Sequence, residues 1–129
     1  MPFSVTQIDH VEVLVRDLAA AQRWYGEVLG LAERHRWDPE PVMIGGAGGP
    51  ALALFQAGEG RPAAGDAPHW HRVAWRTDAP GFAAAQEHLR SLGISFRGPI
   101  DHDIAESIYF QDPDGNPLEI TFYRQPGKL

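Results

Sequence analysis

The side chains equipped for chemistry are few, and their kinds narrow the field. None of the 129 residues is cysteine, so neither thiol chemistry nor a disulfide framework enters. Histidine occurs six times, at positions 10, 35, 69, 71, 88 and 102. His35, His69 and His88 fall where surface residues are expected, and His102 sits in a polar loop. His10 opens the alternating stretch HVEVLV, where a histidine is ordinarily a satisfied polar residue of a half-buried strand. Glu119, between Leu118 and Ile120, has the ordinary reading of a solvent-side carboxylate on an alternating strand, and Glu12 reads the same way near a strand end. Tyr109 precedes Glu119 by ten residues, and a phenol there either hydrogen-bonds a bound oxyanion or packs the sheet. Glu12, Tyr109 and His102 are the groups placed to act as a general base. The run GGAGG at 45–49 is no phosphate loop, because no Lys-Ser/Thr follows it and it does not lead from a strand into a helix. It reads as a flexible turn.

These residues need a frame, and the chain supplies one twice. Ile8 to Val15 alternates as a strand, with Val11, Val13 and Val15 on one side and His10, Glu12 and Leu14 on the other. Asp17 offers a helix N-cap, Leu18, Ala21, Tyr25 and Val28 line one helical face over Leu18 to Leu29, and Gly30 closes it. Three strand-like stretches follow, at Leu31 to Arg36, Pro41 to Ile44 and Ala51 to Gln56. A connector rich in Gly, Pro and Ala, from Gly58 to Pro68, marks the midpoint. The second half repeats the order. Arg72 to Thr77 is a strand, Asp78 caps a helix with Pro80 in its first turn, and Phe82, Ala85, Leu89 and Leu92 form its buried stripe. Gly93 ends that helix, which spans Phe82 to Leu92. Ile94 to Arg97, Ser107 to Phe110 and Leu118 to Phe122 complete the unit, with DPDGN at 112–116 as a hairpin turn. Gly30-Leu31 and Gly93-Ile94 correspond, as do the closing strands LALF and LEIT, so the chain is read as an order-preserving duplication.

Bulk properties set outer limits. A hydrophobic fraction of 43% and a charged fraction of 22% are ordinary for a globular chain of one domain. A formal charge of −6, with the basic residues scattered, argues against a nucleic-acid partner. No apolar run approaches the ~20 residues that cross a bilayer, and the first ten residues lack the basic and apolar regions of a signal peptide. The expected compartment is the cytoplasm, and the expected partner is a small molecule.

The segment HVEVLVRDLAAAQRWYGEVLG resembles the opening of vicinal-oxygen-chelate proteins, the glyoxalase, bleomycin-resistance and extradiol-dioxygenase superfamily. It has a histidine on the first strand, an Asp-capped helix, and an aromatic pair, Trp24 and Tyr25, ahead of leucine-glycine. The tail DHDIAESIYFQDPDGNPLEI resembles the closing signature of the same superfamily. The resemblance implies an α+β fold: two βαβββ modules, about 5–58 and 69–125, forming a curved eight-stranded mixed sheet with helices on the outside. It also implies a metal site in which His10 and Glu119 are ligands, with a further histidine from the fifth strand. A neutral imidazole and a carboxylate suit divalent iron, manganese, nickel or zinc. The repeat mate of Glu119 is Ala53, which cannot coordinate. Glu119 and Tyr109 would then be the residues nearest the chemistry, and a homodimer is the expected assembly, since such modules commonly pair and four tryptophans leave apolar surface to cover.

On the fifth strand two readings stay open. Family members place the histidine two residues before an alanine, which here is Arg72, and His71 lies one residue earlier. From Arg72 to Gly93 is twenty-one residues, against twenty from His10 to Gly30, which makes Arg72 the counterpart of His10. From His71 to Asp78 is seven residues, equal to the span from His10 to Asp17, and a bulge would turn His71 inward. With His71 inward the chain is expected to be a divalent-metal enzyme acting on an oxygenated substrate that chelates the ion, by isomerisation, thiol transfer or ring cleavage. With Arg72 inward it is expected to be a metal-free protein that binds a drug or metabolite, because a guanidinium repels a divalent cation and binds carboxylate or phosphonate. Arg72 and Glu12 are the expected substrate contacts.

Overall fold

In this computed structural model, residues 7–58 and 72–125 are described. They fall into two compact units, one on each side of the midpoint connector. His71, His69 and Trp70 lie outside the described residues.

The first unit begins with β1 (His10–Val15), α1 (Leu18–Leu29) and β2 (Ala32–Arg36), followed by β3 (Val42–Gly45) and β4 (Ala51–Gln56). Asp17, in an extended conformation, accepts a hydrogen bond from the Ala20 amide at 2.9 Å and starts α1. Gly30 ends it in the left-handed region at φ 67°, where a Cβ would be strained. The strands form a four-stranded sheet in the order β1-β4-β3-β2, with β1 parallel to β4 and the other pairs antiparallel. A parallel pair requires a crossover, and the chain between β1 and β4, which includes α1, supplies it. Val13 and Val15 are buried, as are Ala21, Tyr25 and Val28 of α1, while His10, Glu12 and Leu14 are exposed. The two-residue alternation read from the sequence is therefore the alternation between core and outer face.

The second unit repeats the plan with β5 (Val73–Arg76), α2 (Ala79–Ser91), β6 (Arg97–Asp101), β7 (Ala105–Gln111) and β8 (Pro117–Tyr123). Its sheet order is β5-β8-β7-β6, with β5 parallel to β8. Asp78 caps α2 by accepting from the Gly81 amide at 2.8 Å. The helix packs against β8, where the Phe82 and Phe122 rings lie 4.9 Å apart. Leu118, Ile120 and Phe122 therefore point toward α2, and Glu119, Thr121 and Tyr123 point away from it. The α+β class, the two βαβββ modules, the eight strands and the two helices are as the sequence implies. The strands are hydrogen-bonded as two sets of four, one set per module.

One strand lies elsewhere than expected. The sequence suggests Ile94 to Arg97, but β6 spans Arg97–Asp101. The ladder with β7 runs past Gly98 and Pro99 through a register shift between Arg97 and Ile100. Gly98 sits at φ 112°, and a Cβ there would meet the Ser107 carbonyl oxygen at 2.7 Å. Glycine is what lets this irregular rung form. The α2 helix also starts three residues earlier than its apolar stripe, because Asp78 rather than Phe82 sets its first turn.

Candidate functional site

In the first unit the potential site is an exposed row on β1. His10 Nδ1 donates to the Asp9 carboxylate at 2.8 Å, and His10 Nε2 lies 3.8 Å from a Glu12 carboxylate oxygen. The Asp9 hydrogen bond is the main reason the imidazole is held above its ordinary range, with the charge of Asp9 and Glu12 adding to it. Along the parallel ladder His10 is level with Ala51 and Glu12 with Ala53. Ala53 is buried between Glu12 and its other rung partner, Met43.

The second unit gathers more. Tyr109 on β7 is the direct rung partner of Glu119 on β8, and Glu119 is level with Ala74 on β5. This register follows from the DPDGN turn. Asp112 accepts from the amides of Asp114 and Asn116 at 2.8 and 2.9 Å and from the Asn116 side chain at 2.7 Å, and Gly115 takes φ 85°. With that turn fixed, Gln111 must face Pro117 and Tyr109 must face Glu119. Glu119 is half-buried, and its carboxylate accepts from Ser107 Oγ at 2.7 Å. Ser107 Oγ is also 3.0 Å from Thr121 Oγ1, which is itself 3.0 Å from the Glu106 carbonyl oxygen. Two hydroxyl protons serve three contacts, and the charged acceptor draws the Ser107 proton toward Glu119.

Around Tyr109 the face away from α2 is cationic. Arg72 lies one residue before β5 and reaches across the sheet, with its guanidinium carbon 4.5 Å from the centre of the Tyr109 ring. Arg97, the rung partner of Tyr109 on β6, places its own guanidinium carbon 4.6 Å from the same centre. The Tyr109 hydroxyl and His102 Nε2 are 2.5 Å apart. Other arginines have carboxylate partners: Arg36 with Glu33 at 2.6 Å, Arg90 with Glu87 at 2.5 Å, and Arg124 with Asp101 at 2.9 Å and Glu106 at 3.2 Å. Among the described residues no carboxylate pairs with Arg72 or Arg97, and Arg72 Nε is buried with no hydrogen-bond partner.

The ladders also align the two modules. Glu12 is level with Ala53 in one sheet, and Ala74 with Glu119 in the other. Two residues upstream of those rungs stand His10 and Arg72. Arg72 thus occupies the place in the second module that His10 occupies in the first, and its side chain shares the face of Glu119 and Tyr109. Asp9, Ser107, Thr121 and Arg97 were not singled out from sequence. Ser107 was findable, because it lies two residues before Tyr109 on a strand whose turn is evident. Arg97 is hidden because the sequence ends its strand at that residue, whereas β6 begins there.

Comparison with known proteins accords with this frame. Residues 7–120 match the model of the Glyoxalase/Bleomycin resistance protein/Dioxygenase superfamily. The virulence protein STM3117 of Salmonella typhimurium is 32% identical, over 92% of this chain and 85% of its own. The biphenyl-2,3-diol 1,2-dioxygenase 2 of Rhodococcus globerulus is 33% identical over 86% of this chain, but the match spans 60% of that enzyme. A solved glyoxalase/bleomycin resistance protein/dioxygenase from Nocardioides superposes with a TM-score of 0.69 at 30% identity, covering 98% of this chain and 91% of that one. The chain therefore belongs to the Glyoxalase/Bleomycin resistance protein/Dioxygenase superfamily.

Proposed function

We propose that this chain binds a small oxygenated molecule against the helix-distal face of its second sheet, without a resident divalent ion. The observation that carries this reading is Arg72. It stands where the duplication would require a second imidazole, and its guanidinium lies over Tyr109 on the face that bears Glu119. A permanent cation raises the energy of a divalent ion beside it. With Arg72 beside it, the Glu119 face bears a fixed cation, which suits an anion better than a divalent ion.

One observation favours the metal-dependent reading, in which His10, Glu119 and His71 would be the ligands of an oxygen-chelating enzyme. Asp9 holds His10 by Nδ1 and leaves Nε2 outward, an arrangement in which a carboxylate commonly orients a ligating imidazole. Elemental analysis of the protein purified without chelators or affinity metals separates the two. The expected result is far less than one equivalent of iron, manganese, nickel or zinc per chain. A stoichiometric metal that is lost on His10→Ala and on Glu119→Ala would overturn the metal-free reading and restore the enzyme.

A further inference from the structure

We infer that Arg72, Arg97 and Tyr109 form a subsite for an oxyanion, the carboxylate or phosphoryl group of the small-molecule ligand. The inference rests on reading the helix-distal face of the second sheet as the ligand face, and it names the chemistry that face selects.

Three observations converge on it. First, two guanidiniums converge on one phenol ring, at 4.5 and 4.6 Å from its centre. A ring quadrupole attracts a cation, but it supplies no net negative charge to balance two of them. Second, neither cation has a carboxylate partner among the described residues, although this acidic chain pairs other arginines readily. The nearest acid along the ladder, Glu119, is the rung partner of Tyr109, but its carboxylate is turned to Ser107. Third, Arg72 Nε is buried without a hydrogen-bond acceptor among the described residues. A buried donor on a charged group is expensive to leave unmatched, and an incoming oxyanion satisfies it.

An oxyanion answers all three at once. It supplies the missing counter-charge and accepts from forked guanidinium N–H groups, which it fits bidentately. Tyr109 adds a third donor when His102 Nε2 carries the proton, because the phenol oxygen then accepts from the imidazole and its own O–H is free to turn to the ligand. His102 is thus a positioning residue, and Arg72, Arg97 and Tyr109 are the contacts. The site discriminates against cationic ligands, even though the net charge of −6 would favour them.

Calorimetric titration of the full chain tests this, with benzoate and inorganic phosphate as probes, benzamide as the neutral isostere of benzoate, and chloride holding the ionic strength constant. One anion per chain is expected to bind, with benzamide at least about tenfold weaker than benzoate, a gap of ~1.4 kcal/mol. The tighter of the two anions identifies the ligand group as carboxylate or phosphoryl. Arg97→Gln and Arg72→Gln should each weaken binding about tenfold or more, and Arg72→Lys should retain part of it, since charge remains but the fork is lost. Arg76→Gln, whose guanidinium stacks instead on Tyr123 at 4.7 Å, should bind as the parent does. If Arg72→Gln fails to fold, as circular dichroism would reveal, the exposed Arg97 carries the test alone. The subsite is refuted if benzamide binds as well as benzoate, if neither anion saturates, or if the folded Gln variants bind within about twofold of the parent. A metal found by elemental analysis would defeat the metal-free reading separately, and it would leave the anion titration to be judged on its own outcome.

Discussion

Replacing Ser107 with alanine measures how firmly the second module holds Glu119. Ser107 is almost fully buried, at 1% exposure, and loses one hydroxyl with little change in volume. The effect therefore reports hydrogen bonding rather than packing. The lost bond is charge-assisted, from Ser107 Oγ to the Glu119 carboxylate at 2.7 Å, and such bonds contribute roughly 1.5–3 kcal/mol. Thr121 keeps its bond to the Glu106 carbonyl oxygen, so the expected destabilisation of about 2–3 kcal/mol comes from the Glu119 carboxylate. For a chain of this size that is a drop of roughly 6–12 °C in melting temperature. Urea unfolding followed by circular dichroism gives the free energy directly. The sharper form is a cycle with Glu119→Gln, which leaves a neutral acceptor worth about 0.5–1.5 kcal/mol to the same hydroxyl. Ser107→Ala should then cost about 1 kcal/mol less in the Glu119→Gln background than in the parent. Equal costs in the two backgrounds would show that Ser107 does not hold the carboxylate, and the argument for a preorganised Glu119 would fail.

Two other predictions concern the frame and the first module. Asp112→Ala should destabilise the chain by roughly 2–3 kcal/mol, because the buried carboxylate satisfies two turn amides, whereas Asp112→Asn keeps an acceptor and should lose less; denaturant unfolding of both checks this. The His10 imidazole titrates above its ordinary value near 6.5, so the stability it contributes is complete below that value and is lost as pH rises through the elevated folded value. Asp9→Asn should lower the His10 midpoint in an NMR pH titration, and an unmoved midpoint would show that Asp9 is not the cause.

What was legible in the sequence was whatever short-range geometry sets. Helix α1 runs from Leu18 to Leu29 as its Asp17 cap, apolar stripe and Gly30 imply. The shared face of Tyr109 and Glu119 follows from alternation around a turn whose type DPDGN specifies. Arg72 could be aligned with His10 by counting back from the helix-ending glycine. Contacts that depend on how strands pair were out of reach. Arg97 meets Tyr109 only because β6 tolerates a register shift at Gly98-Pro99. Ser107 meets Glu119 diagonally across β7 and β8, and the Asp9–His10 bond depends on side-chain rotamers that no pattern encodes.

The duplication explains why Glu119 rather than Glu12 is the carboxylate held in place by its neighbours. Each module puts one acid and one alanine on the same rung, but on exchanged strands: Glu12 with Ala53, Ala74 with Glu119. β1 and β5 are end strands of their sheets, and β4 and β8 are inner ones. An acid on the end strand has a rung neighbour on one side only, and the side chain of Glu12 stays 64% exposed with the His10 imidazole as its nearest charge. Glu119, on the inner strand, has neighbours on both sides, so Ser107 can reach its carboxylate and Tyr109 stands directly across. A side chain held this way loses less freedom when a ligand binds. Module one carries a titratable imidazole where module two carries a permanent guanidinium. The Arg72 and Arg97 guanidiniums keep their charge, so their share of anion binding should persist across the pH range in which His10 loses its proton.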